Sequence, residues 1–296
     1  MPLVPIAKLM SAAQVGGYAV GYFESWNIES LLGVIDAAEM AESPLIIGFN
    51  GEFMSNPERI APERLEWLGA LGRTAAEHSS IPCSFIFNEC PSDDWVRRAV
   101  TAGFNLVMPV PAEGESDSAY VHRTRNIVAF AHDHGVAVEA ELGTLPFGTT
   151  SGGEVTDPQQ AAAFIAETGV DLLAISAGNV HVLQQGRRTL DLERITALCA
   201  VSKVPLVLHG GTGIDDDSLR QAIQLGVAKV NYGTVLKQAY LRAVRTALDT
   251  HEANPHELLG MGGIPDVMVA SRHAVRDAVL DKMQILGCIG RARHGR

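Results

Sequence analysis

Two histidines, several carboxylates and a glycine cluster are the residues here that could do chemistry together. In Val204-Pro-Leu-Val-Leu-His-Gly-Gly-Thr-Gly-Ile214 a short apolar run ends on His209, whose imidazole can bind a metal. Gly210, Gly211 and Gly213 follow, with Thr212 among them. Glycines at a strand end let the backbone approach a ligand closely and offer N–H groups to an anion. The helix that starts near Asp215 is expected to add a favourable dipole to that anion site. Taken alone, the stretch reads equally well as a tight turn beside a packed core histidine. Other polar residues shift that balance. Glu24, Asn50, Glu52, Asn88, Glu89, Glu141, Ser176, His181, Asn231 and Thr234 all stand at or just beyond the ends of apolar runs. Two histidines and a carboxylate make a catalytic metal site with an open position. His181, His209 and Glu89 are the candidates, with Glu141 as a fourth ligand or a supporting group. His78, His122, His132, His134, His251, His256, His273 and His294 lie on helices, at their ends or near the C-terminus, and read as solvated or capping.

Such residues need a scaffold that brings strand ends together. Apolar strand-like runs at residues 18–23, 44–49, 82–87, 106–108, 136–141, 172–175, 206–209 and 228–232 alternate with helix-like runs at 28–40, 62–76, 92–102, 120–132, 157–167, 192–201, 215–225 and 235–248. Ser92 followed by Asp93 and Asp94 is a helix-start signal. Eight β-then-α units predict an α/β fold, a (β/α)8 TIM barrel with an extra C-terminal helix at about 272–286, and one domain over 1–296. A doubly wound open sheet would usually have fewer repeats. In a barrel the C-terminal strand ends share one rim, and that rim collects the polar residues named above. Strand four ends in Pro109-Val110-Pro111 and offers no ligand. The glycine- and hydroxyl-rich stretch 143–153 suits a mobile lid, and 254–265 reads as a second long loop.

Composition narrows the partners. The chain has 296 residues, a formal net charge of -11 and 47% hydrophobic residues. No basic stripe exists to neutralise nucleic-acid phosphates. No apolar run approaches the roughly 18 residues of a membrane span. The N-terminus lacks a signal-peptide pattern. The four cysteines are far apart and form no CxxC pair, which fits a reducing cytoplasm.

These residues also resemble a known family. Gly16-Gly-Tyr-Ala-Val-Gly-Tyr-Phe23, Val138-Glu-Ala-Glu-Leu-Gly143, Gly169-Val-Asp-Leu-Leu-Ala174, Leu206-Val-Leu-His-Gly-Gly-Thr-Gly213 and Lys229-Val-Asn-Tyr-Gly-Thr234 resemble the class II, metal-dependent ketose-bisphosphate aldolases nearly end to end. The resemblance implies a divalent metal on His181 and His209, with zinc expected and manganese or another divalent ion as alternatives. It implies that Gly210, Gly211, Thr212, Asn231, Gly233 and Thr234 grip the phosphate and triose end of a sugar phosphate. The reaction it implies is cleavage of a phosphorylated ketose into dihydroxyacetone phosphate and an aldehyde, the metal polarising the triose carbonyl and stabilising the enediolate. A homodimer or homotetramer is expected.

The departures from the family are specific. Its third strand ends in a His-Leu-Asp-His-Gly type motif, where this chain has Ile86-Phe-Asn-Glu-Cys90. Asn88 stands for the catalytic Asp, and an amide cannot accept a proton at neutral pH. Glu89 stands for a metal-binding His. Glu24 stands where the family usually has Asn, Pro109 where it often has Asp, and Val182 follows the metal His in place of Gly. The family's Asp-Pro-Arg aligns with Gly263-Ile-Pro265, and no Arg or Lys lies between Arg245 and Arg272. A glutamate is therefore expected to take over the proton relay: Glu24, Glu141, or Glu154 beyond the glycine-rich loop. The substrate is expected to carry one phosphate and to differ from fructose 1,6-bisphosphate, with Phe23 and Trp26 making part of the pocket less polar. Arg187 or Arg188 is the alternative source of a second cation. Two other functions share the pattern: a sugar-phosphate isomerase or epimerase on the same platform, and a non-catalytic homologue with a decayed site.

Overall fold

The computed structural model describes residues 3–143, 154–180, 186–249 and 254–292. Eight parallel strands close into a barrel: β1 (Val20–Ser25), β2 (Leu45–Asn50), β3 (Cys83–Cys90), β4 (Leu106–Pro109), β5 (Ala137–Leu142), β6 (Leu172–Ile175), β7 (Leu206–Leu208) and β8 (Val227–Tyr232). Closure comes from β1 pairing with β8, which sets Val20 beside Lys229 and Tyr22 beside Asn231. The helices are α1 (Ile6–Gly16), α2 (Ile28–Met40), α3 (Gly51–Ser55), α4 (Leu65–His78), α5 (Asp93–Ala102), α6 (Asp117–Asp133), α7 (Pro158–Thr168), α8 (Leu192–Val201), α9 (Asp216–Leu225), α10 (Thr234–Leu248), α11 (Pro255–Leu258) and α12 (Val267–Leu286). The fold is the (β/α)8 barrel that the alternation predicts.

Local sequence explains most of the boundaries. Every residue of β1, β2, β3 and β8 is buried, because one face meets the barrel interior and the other the helix layer. Asn27 starts α2 with a reciprocal cap: its side chain accepts from the Ser30 N–H while Ser30 Oγ accepts from the Asn27 N–H. Asp157, Asp191, Asp215 and Asp266 cap α7, α8, α9 and α12. Ser92 stands at the N-cap of α5, but its hydroxyl makes no cap bond.

Several elements differ from the sequence reading. α1 escapes it because the helix follows Pro5 with no capping side chain. The segment before it lies on the strand starts: the Val4 N–H donates to Cys83 O (2.8 Å) and Val4 O accepts from Asn105 Nδ2 (2.8 Å). β3 runs to Cys90 and so carries Asn88 and Glu89 within the strand. The 254–265 loop contains the single turn α11. α12 begins at Val267, five residues before expectation, on the Asp266 cap. α12 packs against α2 and α10, and Arg272 clamps Asp36 of α2 with two bonds of 2.5 and 2.7 Å. The lid stretch from 144 to 153, and His181, lie outside the described residues.

Candidate active site

The strands carry a buried polar chain into the barrel. Side chains alternate along β5 and β8, so Glu139 and Lys229 face each other inside. Lys229 Nζ lies 2.7 Å from Glu139 Oε2 and donates to Asn231 Oδ1 (2.7 Å). Glu139 Oε1 lies 3.1 Å from Nε2 of His209, which follows the last residue of β7. Both members of the Lys229–Glu139 pair are fully buried. Burial drives the Lys229 ammonium below its ordinary range. It also pushes the Glu139 carboxyl up, yet Lys229 and then His209 outweigh it and hold that carboxyl low.

The other ring nitrogen of His209 faces the rim. Nδ1 lies 2.8 Å from Glu89 Oε1 and 3.5 Å from Glu141 Oε2, and no neighbour among the described residues gives it a well-aligned hydrogen bond. Burial lowers the basicity of this imidazole, but the carboxylates of Glu139, Glu89 and Glu141 prevail and push it up to about 10. Glu89 Oε2 in turn accepts from Asn50 Nδ2 (2.8 Å). Glu89 sits at φ 55°, in the left-handed region that a non-glycine residue rarely adopts, where the β3–β4 register shifts. Such a bulge re-aims one side chain, here toward His209.

These donors suit a divalent cation. Among the described residues no three His, Cys, Asp or Glu side chains have the spacing of a closed metal cage, and Glu89 touches His209 directly. The chemistry fits nonetheless. A buried ring nitrogen without an aligned partner and two carboxylates converge on one point, while the opposite ring nitrogen is held by a buried carboxylate. A metal-binding histidine is normally held in this way.

Beside this cluster lies a cavity of about 530 Å³. The structure brings Glu24, Asn88, Glu89, Gly210, Thr212, Asn231, Gly233 and Thr234 to its walls. Gly211 lies behind them: a Cβ there would stand 2.7 Å from the Tyr232 ring. A Cβ on Gly233 would stand 2.2 Å from Glu24 Oε2. Glu141 reaches the cluster through His209 rather than the cavity wall, and Glu154 is exposed. Asn88 Oδ1 meets Asn231 Nδ2 at 3.5 Å.

The anion cradle differs from expectation in its helix. The N-terminus of α9 is already supplied with negative groups: Asp215 accepts from the Ser218 N–H, and Asp216 and Asp217 fill the first turn. α10 has Gly233 at its N-cap and no acid in its first turn. Thr212 Oγ1 accepts from the Val235 N–H (3.2 Å), which ties the GGTG turn to that helix start. The dipole available to an anion is therefore that of α10.

Two cations on the cavity wall, Lys237 and Arg245, were missed from the sequence. Positions 234, 237, 238, 241 and 245 share one face of α10 at helical spacing, and that periodicity was the available signal. Lys237 Nζ lies 2.5 Å from Glu24 Oε1. Arg187 does not fill this role, since it pairs with Asp216, while the Arg188 backbone bonds to Gly213 and Asp215. Phe23 turns away from the cavity and stacks on Tyr232. Trp26 lines a smaller neighbouring pocket, and the less polar walls are Tyr22, Phe53 and Leu241.

The histidine–carboxylate cluster and the glycine-rich turn thus share one rim of a (β/α)8 barrel. The family model for class-II fructose-bisphosphate aldolase matches residues 4–291. The Escherichia coli K12 protein YdjI is 34% identical over 280 residues, 93% of this chain and 94% of that protein. The probable fructose-bisphosphate aldolase of Bacillus subtilis strain 168 is 31% identical over 309 residues, 99% of this chain and 100% of that protein. The crystal structure of the E. coli YdjI aldolase superposes with a TM-score of 0.83 at 33% identity, covering 98% of this chain and 99% of that one. The chain belongs to the class II fructose-bisphosphate aldolase family, whose members are metal-dependent carbon–carbon lyases. No helix of the described residues is long and apolar enough to cross a membrane.

Proposed function

We propose that this protein cleaves a phosphorylated ketose other than fructose 1,6-bisphosphate, reversibly, into dihydroxyacetone phosphate and an aldehyde. One observation carries the reading: the Glu89–His209 pair and the acid-free start of α10 face the same cavity. Glu89, His181 and His209 hold one divalent ion, zinc in preference to manganese or another. That ion supplies Lewis acidity to the triose carbonyl. Gly210, Gly211, Thr212, Asn231, Gly233 and Thr234 receive the phosphate. Glu24, Glu141 or Glu154 moves the hydroxyl proton, since Asn88 is an amide. The protein works in carbohydrate metabolism in the cytoplasm, as one barrel domain over 1–296 and as a homodimer or homotetramer.

The substrate assignment rests on charge. Of the two wall cations, Lys237 is paired with Glu24, which leaves Arg245 to face one phosphate, and the Glu24 and Glu89 carboxylates stand on the walls that a second dianion would approach. A panel of ketose phosphates assayed for release of dihydroxyacetone phosphate tests the function. Release from at least one non-fructose substrate is expected. A kcat/KM above roughly 10⁴ M⁻¹s⁻¹ on fructose 1,6-bisphosphate, the low end for ordinary enzymes, removes the substrate assignment. Isomer formation without triose release, which the loss of the family's acid at Asn88 would permit, replaces lyase by isomerase.

A further inference from the structure

A tyrosine that lines the cavity carries a hydroxyl that no described residue uses. Tyr22 is 2% exposed and lines the cavity, and its Oη has no hydrogen-bond partner among the described residues. A buried hydroxyl left without a partner costs stability, so natural proteins rarely leave one without a reason. Its position is specific. Tyr22 is the β1 register partner of Asn231, and Asn231 touches Asn88, which occupies the place of the family's acid. Its ring lies 5.4 Å from Lys229 Nζ, so the inner ammonium steadies it from below. Glu24 and Glu89 on the same wall are engaged with Lys237 and with His209 and Asn50. Tyr232 also lines the cavity with an unpartnered hydroxyl, but it alternates outward on β8, stacked on Phe23 behind the glycine turn.

We propose that Tyr22 Oη donates a hydrogen bond to the substrate oxygen that becomes the aldehyde carbonyl. This rests on the aldolase reading above. In the cleavage direction that oxygen loses its proton to a carboxylate base and carries negative charge until the carbon–carbon bond breaks. In the addition direction it gains the same charge as the bond forms. A fixed O–H donating to that oxygen stabilises the charged species more than the neutral ones. No bond to the tyrosine is made or broken. Burial first, then Glu24, Glu89 and Glu139, hold the phenol well above its ordinary range, so it remains a donor throughout the working pH range.

The test is Tyr22→Phe, which keeps the ring and removes only the hydroxyl. Four quantities are compared with the wild type: thermal midpoint, affinity for dihydroxyacetone phosphate by calorimetry, exchange of its carbon-bound proton with deuterated water, and kcat for cleavage. A cleavage kcat reduced about 10²–10³-fold, the usual cost of losing one such donor, is expected, with affinity and exchange unchanged and the midpoint no lower. A cleavage kcat within about threefold of wild type overturns the proposal. So does a joint loss of midpoint and triose affinity, which would mark a structural hydroxyl. Wild-type protein that neither exchanges nor cleaves overturns the aldolase reading itself, and the tyrosine's role with it.

Discussion

The two arcs of the cavity rim are built differently. The arc from β7, β8 and α10 is largely backbone: Gly210 and Gly233, backed by Gly211, with two threonines and the acid-free start of a helix. The arc from β1 to β3 is side chain: Tyr22, Glu24, Asn50, Asn88 and Glu89. The first arc carries the sequence patterns that resemble the family most specifically, and the second carries its departures. A cradle of backbone N–H groups suits one chemical group, such as the phosphate proposed here, and has little room to vary. A wall of side chains can change with the rest of the substrate. Under the proposed function, the shared triose chemistry falls to one side of the cavity and the substrate identity to the other.

The largest effect should come from His209, which both arcs adjoin. His209→Ala should lose metal and reduce turnover to background, as should His181→Ala. Glu89→Ala should lose metal too, and full occupancy measured by atomic absorption in that variant removes Glu89 from the ligand set. His209 also sets a pH dependence. Its folded-state value, about 10, lies above the ordinary imidazole range. The metal-free protein therefore gains stability from it that is complete below about pH 6.5 and lost as the pH rises through about 10. Metal must displace that proton, so metal affinity should increase with pH over the same window. A flat affinity from pH 6 to 9 contradicts the arrangement.

Next in size is the support beneath the rim. Lys229→Met leaves the Glu139 carboxylate buried beside His209 alone, which should cost about 3–5 kcal/mol, the usual scale for breaking a buried pair. Urea unfolding measures it, and a loss under about 1 kcal/mol would show that the pair is dispensable. On the side-chain arc, single Gln variants of Glu24, Glu141 and Glu154 separate the proton carrier from its neighbours. At least one should lose about 10²-fold or more in turnover, and three near-normal variants remove the glutamate relay. The smallest expected change is on the backbone arc. Gly211→Val places its Cβ 2.7 Å from the Tyr232 ring and 2.8 Å from Val230 Cγ1. The strain should cost about 1–3 kcal/mol and weaken dihydroxyacetone phosphate binding. Wild-type affinity in this variant would detach the cradle from the phosphate.

The barrel was legible because strands buried on both faces read as short apolar runs between helix caps. The rim was legible because every run but the fourth ended on or just before a polar residue. Which face a side chain takes was less legible. Phe23 looked like a pocket residue and points outward, while Tyr22, one position earlier, points in. Lys237 and Arg245 were not legible because a cation on a helix flank reads as solvated until the barrel turns that flank toward the cavity. The α9 start reads as the anion site in sequence, but Asp215 caps it and Asp216 and Asp217 fill its first turn. His181 lies outside the described residues, so its part in the metal site stands on the resemblance.

The central claim is that metal and cleavage belong to one site. Protein stripped by a chelator and titrated with zinc, with dihydroxyacetone phosphate release followed on the best substrate of the panel, tests it directly. No release without metal and full release at one equivalent per chain are expected. Undiminished release from protein shown to be metal-free would contradict it.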